Sequence, residues 1–176
     1  MLERKILRDV ETLIQDPYDS LKFEVHKPTV YLCGGFYGDW NTKIKHLIGH
    51  RANILDPRDW KQERLDYKYV PRDLQSIELS DIIFAYRQAT NPALGMTYEL
   101  GYANALGKYT IFLGEYENIT IKRYLSFCRV GSSYIALDFE DAVLELNKAL
   151  NAWDEVYNQL NEGAPDNEEH EYNHFN

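Results

Sequence analysis

Apolar residues recur along this chain at two different periods, and the alternation between them predicts the architecture. Leu2, Ile6, Leu7, Val10, Leu13 and Ile14 fall at helical spacing, so the first segment reads as an amphipathic helix that stops at Asp16-Pro17. From Pro28 onward the pattern changes. Residues 29–33, 52–55, 82–86, 109–113 and 133–137 form short, β-rich runs, several of them apolar on both faces. Between them lie helical stretches: 41–50 with Asn41 as its candidate N-cap, 72–79 with Pro71 in its first turn, 92–106 with Gly107 as its C′ residue, and 119–127. A long closing helix over 139–161 carries Val143, Leu144, Leu146, Leu150 and Trp153 on one side. Strands buried on both faces and alternating with helices predict an α/β, doubly wound, flavodoxin/Rossmann-like three-layer sandwich with a mainly parallel five-stranded sheet.

The chain therefore divides into an N-terminal helical extension (1–27), one domain (28–161) and an acidic tail (162–176) with little to bury, expected to be disordered. The formal charge of −9 argues against an extended nucleic-acid polymer as partner, because nothing offsets repulsion by its phosphates. A small nucleoside or nucleotide needs only local complementarity. No apolar run reaches the roughly 20 residues of a membrane span, and the charged N-terminus does not resemble a signal peptide. A cytoplasmic protein is the expectation, with Cys33 and Cys128 as reduced thiols rather than a disulfide or metal framework. Neither a metal nor a cofactor is expected.

Ligands of open α/β sheets bind beyond the carboxyl ends of the strands, near the switch in strand order. That rule gathers Gly34, Gly35, Phe36 and Tyr37 after the first strand, Asp56, Arg58 and Asp59 after the second, and residues 87–91 after the third. The helix beginning near Pro92 aims its N-terminal amides at the same cleft. The glycine loop is neither a dinucleotide fingerprint nor a P-loop, and its glycines are equally readable as a tight turn. Within 95–107, Glu99 is the single carboxylate among apolar and small residues. An ionised group there costs free energy unless it is paired, exposed or has a task, and the pattern alone leaves those three open.

Three blocks carry a resemblance. Residues 30–36 (Val-Tyr-Leu-Cys-Gly-Gly-Phe), 72–84 (Arg-Asp-Leu-Gln-Ser-Ile-Glu-Leu-Ser-Asp-Ile-Ile-Phe) and 95–103 (Gly-Met-Thr-Tyr-Glu-Leu-Gly-Tyr-Ala) are similar to the first strand and substrate loop, the helix leading into an Asp-initiated strand, and the nucleophile helix of the nucleoside 2-deoxyribosyltransferase superfamily. That group also includes deoxynucleoside 5′-monophosphate N-glycosidases. The match spans about residues 29–113, the third block being the most specific, and the Trp40 segment resembles a divergent branch.

The resemblance implies that Glu99 attacks C1′ of a deoxyribose, expels the base and forms a covalent glycosyl-enzyme. A carboxylate suits an oxocarbenium-like centre, which it first stabilises and then captures. An acceptor base or water completes the reaction. Asp73 falls where the family carries the acid that meets the departing base, although an exposed helical Asp is the plain alternative. Tyr31 falls where a Tyr orients the nucleophile, or is simply a core Tyr. Gly34, Gly35 and Phe36 are expected to bound the base site, and Asn91, Gly95, Met96 and Asp56 to border the substrate, Asn91 being equally a turn residue. Asp81 is expected to cap or orient the third strand. The loop lacks a Ser or Arg cluster for phosphate, and Asp39 opposes one, which favours a nucleoside over a nucleotide unless Arg58, Arg87 or Lys43 reaches in. The implied partners are a nucleoside or nucleotide and a free base, in a homo-oligomer, dimer or hexamer. The competing readings are an N-glycosidase acting on a nucleoside monophosphate or a modified or signalling nucleotide, and a non-catalytic nucleoside-binding module.

Overall fold

The computed structural model describes residue 24 and residues 26–59, 69–91 and 93–161. Its sheet is built from β1 (Thr29–Gly34), β2 (Asn53–Leu55), β3 (Ile82–Arg87), β4 (Tyr109–Gly114) and β5 (Tyr134–Ala136). The order is β2-β1-β3-β4-β5, and every pairing is parallel. The expected doubly wound α/β class is therefore the observed one, with the flavodoxin-type strand order and its switch point between β1 and β3.

Strand alternation divides the core into two layers. Val30, Leu32, Ile82, Phe84, Tyr86, Ile111 and Leu113 face one side, where Trp40, Ile44 and Ile48 of α1 (Trp40–Ile48) and Ala142, Leu146 and Leu150 of α6 (Phe139–Asn161) cover them. Tyr31, Cys33, Ile83, Ala85 and Phe112 face the other. There Ile77 of α2 (Tyr69–Leu79) and Met96, Leu100 and Ala103 of α3 (Leu94–Ala105) meet them, joined by Leu125 and Cys128 at the short helices α4 (Ile119–Tyr124) and α5 (Ser126–Gly131). Both faces being apolar is what a sheet covered by helices on both sides requires.

Several boundaries shift from expectation. Asn41 does not cap α1. It lies inside the first turn, and its Nδ2 donates to Asp56 Oδ1 across 3.2 Å, while Asp39 holds the N-cap position without a side-chain bond. The described part of α2 already includes Tyr69 and Val70 ahead of Pro71. The expected single helix over 119–127 is two. Asn118 caps α4 through Oδ1 to the Ile121 N–H at 3.0 Å, and the chain restarts as α5 after Leu125. Gly107 follows α3 in the left-handed conformation (φ 71°) as expected. Asp81 fixes the start of β1, its Oδ2 accepting the Thr29 N–H at 2.8 Å. The expected N-terminal helix, the acidic tail and Pro92 lie outside the described residues. Among the described residues no helix is long and apolar enough to cross a membrane.

Candidate active site at the switch point

Two carboxyl side chains meet over the carboxyl half of β1. Glu99 is placed by α3 and Asp73 by α2. These helices pack side by side on the face of the sheet that carries Tyr31 and Cys33. Positions 31 and 33 share that face because strand side chains alternate, and α3 crosses them one turn after its entry.

Glu99 is held from below by the strand. The Cys33 thiol donates to Glu99 Oε2 at 3.0 Å, with the Met96 carbonyl oxygen 3.8 Å away as its other acceptor. The Tyr31 side chain is fully buried, and its hydroxyl makes no hydrogen bond of regular geometry. It nevertheless lies close enough to Glu99 and Asp73 for each to raise its pKa, after burial, the largest cause. The other carboxylate oxygen of Glu99, Oε1, lies under the bare Cα of Gly95, where a Cβ would come to 3.7 Å. A small first turn thus covers the oxygen that the Cys33 thiol does not hold.

Burial sets the electrostatics. Desolvation raises the Glu99 pKa, and the Cys33 and Tyr31 side chains oppose that rise. Asp73 is 5% exposed, and its Oδ1 is buried with no hydrogen-bond partner. Its pKa is pushed up to about 8, first by desolvation and then by the Glu99 charge, with Arg72 opposing. Two nearby carboxyls of unequal support are how one site holds an acid and a base together. Near neutral pH, Asp73 retains its proton, while the rise that burial imposes on Glu99 is opposed by its neighbours on β1. The Cys33 thiol is pushed well above its usual value by burial and by Glu99, so it stays a donor.

The rim is the glycine loop. A Cβ on Gly35 would fall 1.6 Å from Asn91 Nδ2, and one on Gly34 would fall 2.4 Å from the Tyr86 carbonyl oxygen. Only bare Cα atoms let this loop lie against β3 and the Asn91 side chain. Asn91 is buried, and its Oδ1 accepts the Ala93 N–H at 3.0 Å. That bond holds the entry to α3, where Ala93 takes a left-handed conformation (φ 44°, ψ 49°) that costs a non-glycine residue about 1–2 kcal/mol. Phe36 and Tyr37 project from the loop, 55% and 66% exposed, as aromatic faces available to a ligand.

Of the residues expected at the site, Glu99, Asp73 and Tyr31 come together, with Gly95 and Met96 in the turn above Glu99 and Gly34, Gly35, Phe36 and Asn91 at the rim. Asp56 has a different occupation. It is buried and satisfied by Asn41, by the Arg58 N–H at 3.0 Å and by Lys45 Nζ at 2.7 Å. Those partners fix the β2 loop in place.

The sequence places Cys33 as a reduced thiol and Arg58 on the rim, but assigns neither the role it has here. The first was legible once Tyr31 was placed opposite Glu99, since position 33 shares its face. Arg58 had no sequence signal for its role. Its guanidinium donates to the carbonyls of Gly35, Tyr37 and Gly38 at 3.1, 3.3 and 3.2 Å and lies 5.8 Å from the Trp40 ring centroid. Arg58 therefore clamps the loop. Arg87, nearly fully buried, donates to the Glu115 carbonyl and pairs with Glu117 at 2.7 Å, and Lys43 pairs with Asp39 at 3.2 Å. Among the described residues no group of three His, Cys, Asp or Glu side chains is arranged to hold a metal.

A 2-deoxyribosyltransferase from the psychrotolerant bacterium Bacillus psychrosaccharolyticus superposes with a TM-score of 0.47 at 18% identity, covering 74% of this chain and 90% of that one. A conserved protein from Enterococcus faecalis V583 superposes with a TM-score of 0.43 at 15% identity, covering 74% and 87%. At that identity and overlap neither likeness bears on substrate or on the role of any residue. No family model matches the chain, and no curated protein matches it by sequence.

Proposed function

We propose that this protein cleaves the N-glycosidic bond of a 2′-deoxynucleoside through a glycosyl-Glu99 intermediate and passes the deoxyribose to a second base. The observation that carries the reading is the buried pair of carboxyls at the switch point, Asp73 with its pKa pushed up to about 8 and Glu99 held by the Cys33 thiol of β1. The resemblance of residues 30–36, 72–84 and 95–103 to the nucleoside 2-deoxyribosyltransferase superfamily supplies the reaction class.

In the proposed reaction, Glu99 Oε1 approaches C1′ from the face opposite the base. The C1′–N bond breaks, and its electron pair goes to the base nitrogen. Asp73 delivers a proton to the departing base, and Oε1 bonds to C1′. Positive charge on the ring at the transition state is neutralised by the Glu99 carboxylate in a site from which much water is excluded. An acceptor base then attacks C1′, returns its proton to Asp73 and releases Glu99. Phe36 and Tyr37 offer stacking faces to the base, and Asn91 and the Gly34-Gly35 turn shape the wall beside it.

The cations at the described rim favour an uncharged 5′-hydroxyl over a phosphate. Arg58 is committed to three loop carbonyls, Arg87 to Glu115 and Glu117, Lys43 to Asp39, and Lys45 to Asp56 and Asp59. Each is already partly neutralised or held by these partners, so a phosphate would compete with them for its charge.

Chromatography of each 2′-deoxynucleoside and its 5′-monophosphate, with and without a second free base, tests the reading. The expected result is a new deoxynucleoside that forms only with the acceptor base and is absent for Glu99→Ala. Base release without exchange transfers the reading to a hydrolase. Turnover that survives Glu99→Ala sinks it.

A further inference from the structure

We propose that Cys33 is the positioning residue of Glu99: its thiol pins Oε2 and thereby leaves Oε1 as the attacking oxygen. The inference deepens the glycosidic reading and rests on it for its catalytic meaning, while the hydrogen bond itself can be tested apart from turnover.

A carboxylate has two equivalent oxygens, and a nucleophile gains when one of them is fixed away from the target. The strand supplies the means. The Cys33 side chain is fully buried, and Sγ lies 3.0 Å from Oε2 but 3.8 Å from the Met96 carbonyl oxygen. A thiol has one proton and is a weak donor toward neutral acceptors. Toward a carboxylate the bond is charge-assisted, so the proton goes to Oε2 whenever Glu99 is ionised. When Glu99 is protonated the preference weakens, and the Met96 carbonyl becomes the competing acceptor. Oε1, the oxygen that the thiol does not hold, lies beneath Gly95, the smallest cover available at that turn.

Among the described residues, the groups that face Glu99 are Tyr31 and Cys33 from β1 and Asp73, with Arg72 behind it, from α2. Within this set the Cys33 thiol supports the ionised form of Glu99, as does Tyr31, whereas burial opposes it. Burial also holds the thiol well above its ordinary pKa, which keeps the proton that the bond requires. After attack through Oε1, the same thiol faces the carbonyl oxygen of the glycosyl ester. Cys33 therefore holds one geometry through both halves of the reaction without bonding to the sugar.

The test has two arms. In the first, the S–H stretching band is recorded by infrared spectroscopy in a Cys128→Ala background, which leaves Cys33 as the single thiol of the chain. The band is expected at low frequency with Glu99 ionised, rising when pH is lowered through the titration of Glu99 and in Glu99→Gln. A band unchanged by both overturns the proposal whether or not any substrate is turned over.

In the second arm, the pH dependence of base release is compared for the full-length protein, Cys33→Ala and Cys33→Ser. Loss of the donor raises the Glu99 pKa, so the acid limb of Cys33→Ala moves to higher pH by about one unit, a roughly tenfold loss on the acid side. Cys33→Ser, which keeps a donor on the same carbon, returns the limb toward its original place. An acid limb that stays put in Cys33→Ala overturns the proposal. Base release that persists in Glu99→Ala overturns the glycosidic reading instead, and the infrared arm then stands alone as the test of the bond.

Discussion

Gly35 and Asn91 touch across the mouth of the site, so closely that a Cβ on the glycine would lie 1.6 Å from the carboxamide nitrogen. Neither neighbour has room to give. The Asn91 Oδ1 holds the Ala93 N–H at the start of α3, and the loop backbone is fastened by Arg58. Gly35→Ala must therefore displace Asn91 or the loop. The expected outcome is at least a tenfold loss in kcat/KM, about 1.4 kcal/mol or more, with a far-ultraviolet spectrum unchanged from the parent. Full activity in Gly35→Ala contradicts the placement of this loop at the substrate.

Asp73 gives the protein a signature in both rate and stability. Its native pKa of about 8 lies above its ordinary value of 3.8. Between those values the unfolded chain releases the proton that the native state keeps. Stability therefore falls as pH rises across that window and levels off above it. Asp73→Asn removes this slope, and its melting temperature should exceed the parent's near pH 8 by an amount equivalent to a few kcal/mol. If Asp73 delivers the proton as proposed, the same substitution should abolish base release, and the parent's rate should fall on the alkaline side as Asp73 ionises near pH 8. Coincident stability curves for parent and variant from pH 4 to 8 count against the raised carboxyl.

Arg58 acts by holding the loop, and its loss should separate binding from folding. Arg58→Ala frees the carbonyls of Gly35, Tyr37 and Gly38 and uncovers the Trp40 ring. KM should rise about tenfold, a loss of about 1.4 kcal/mol of binding, with the core transition little changed. Arg58→Lys should not restore it, because an ammonium group lacks the planar fork that spans three acceptors. Steady-state kinetics with thermal unfolding on both variants decides the point.

Much of this fold is legible in the residue pattern. Residues 30–33, 82–86 and 111–113 are apolar and buried on both faces, as a strand between two helical layers requires. Glu99 stands out as the single carboxyl of 95–107, whereas Asp73 is singled out by the resemblance of residues 72–84. What the pattern does not reveal is pairwise. Asn41 has the composition of a cap, but its partner Asp56 lies on the next strand's loop. Asp56 resembles a rim residue for the same reason, and its true neighbours appear only when α1 and β2 are packed together. The clamp by Arg58 depends on backbone carbonyls, which carry no sequence signature. The break at Leu125 between α4 and α5 has no Gly or Pro in the run to signal it.

Ala93 illustrates a cost that composition hides. An L-residue at φ 44° is strained, and Ala93→Gly relieves that strain at a position where the backbone is already so disposed. The variant should be more stable by up to about 1 kcal/mol, the gain reduced by the extra freedom of glycine in the unfolded chain. Chemical denaturation of the two proteins measures it. A destabilised Ala93→Gly contradicts the left-handed entry to α3.

The central claim is that Glu99 becomes covalently bonded to the sugar. A 2′-fluoro-2′-deoxynucleoside slows both steps by withdrawing electron density from C1′, and a quenched digest can then be read by peptide mass spectrometry. The account predicts a fluorodeoxyribosyl adduct on the peptide bearing Glu99, lost in Glu99→Ala and discharged on addition of a free base. An adduct on any other residue, or base release with no adduct at any time point, contradicts it.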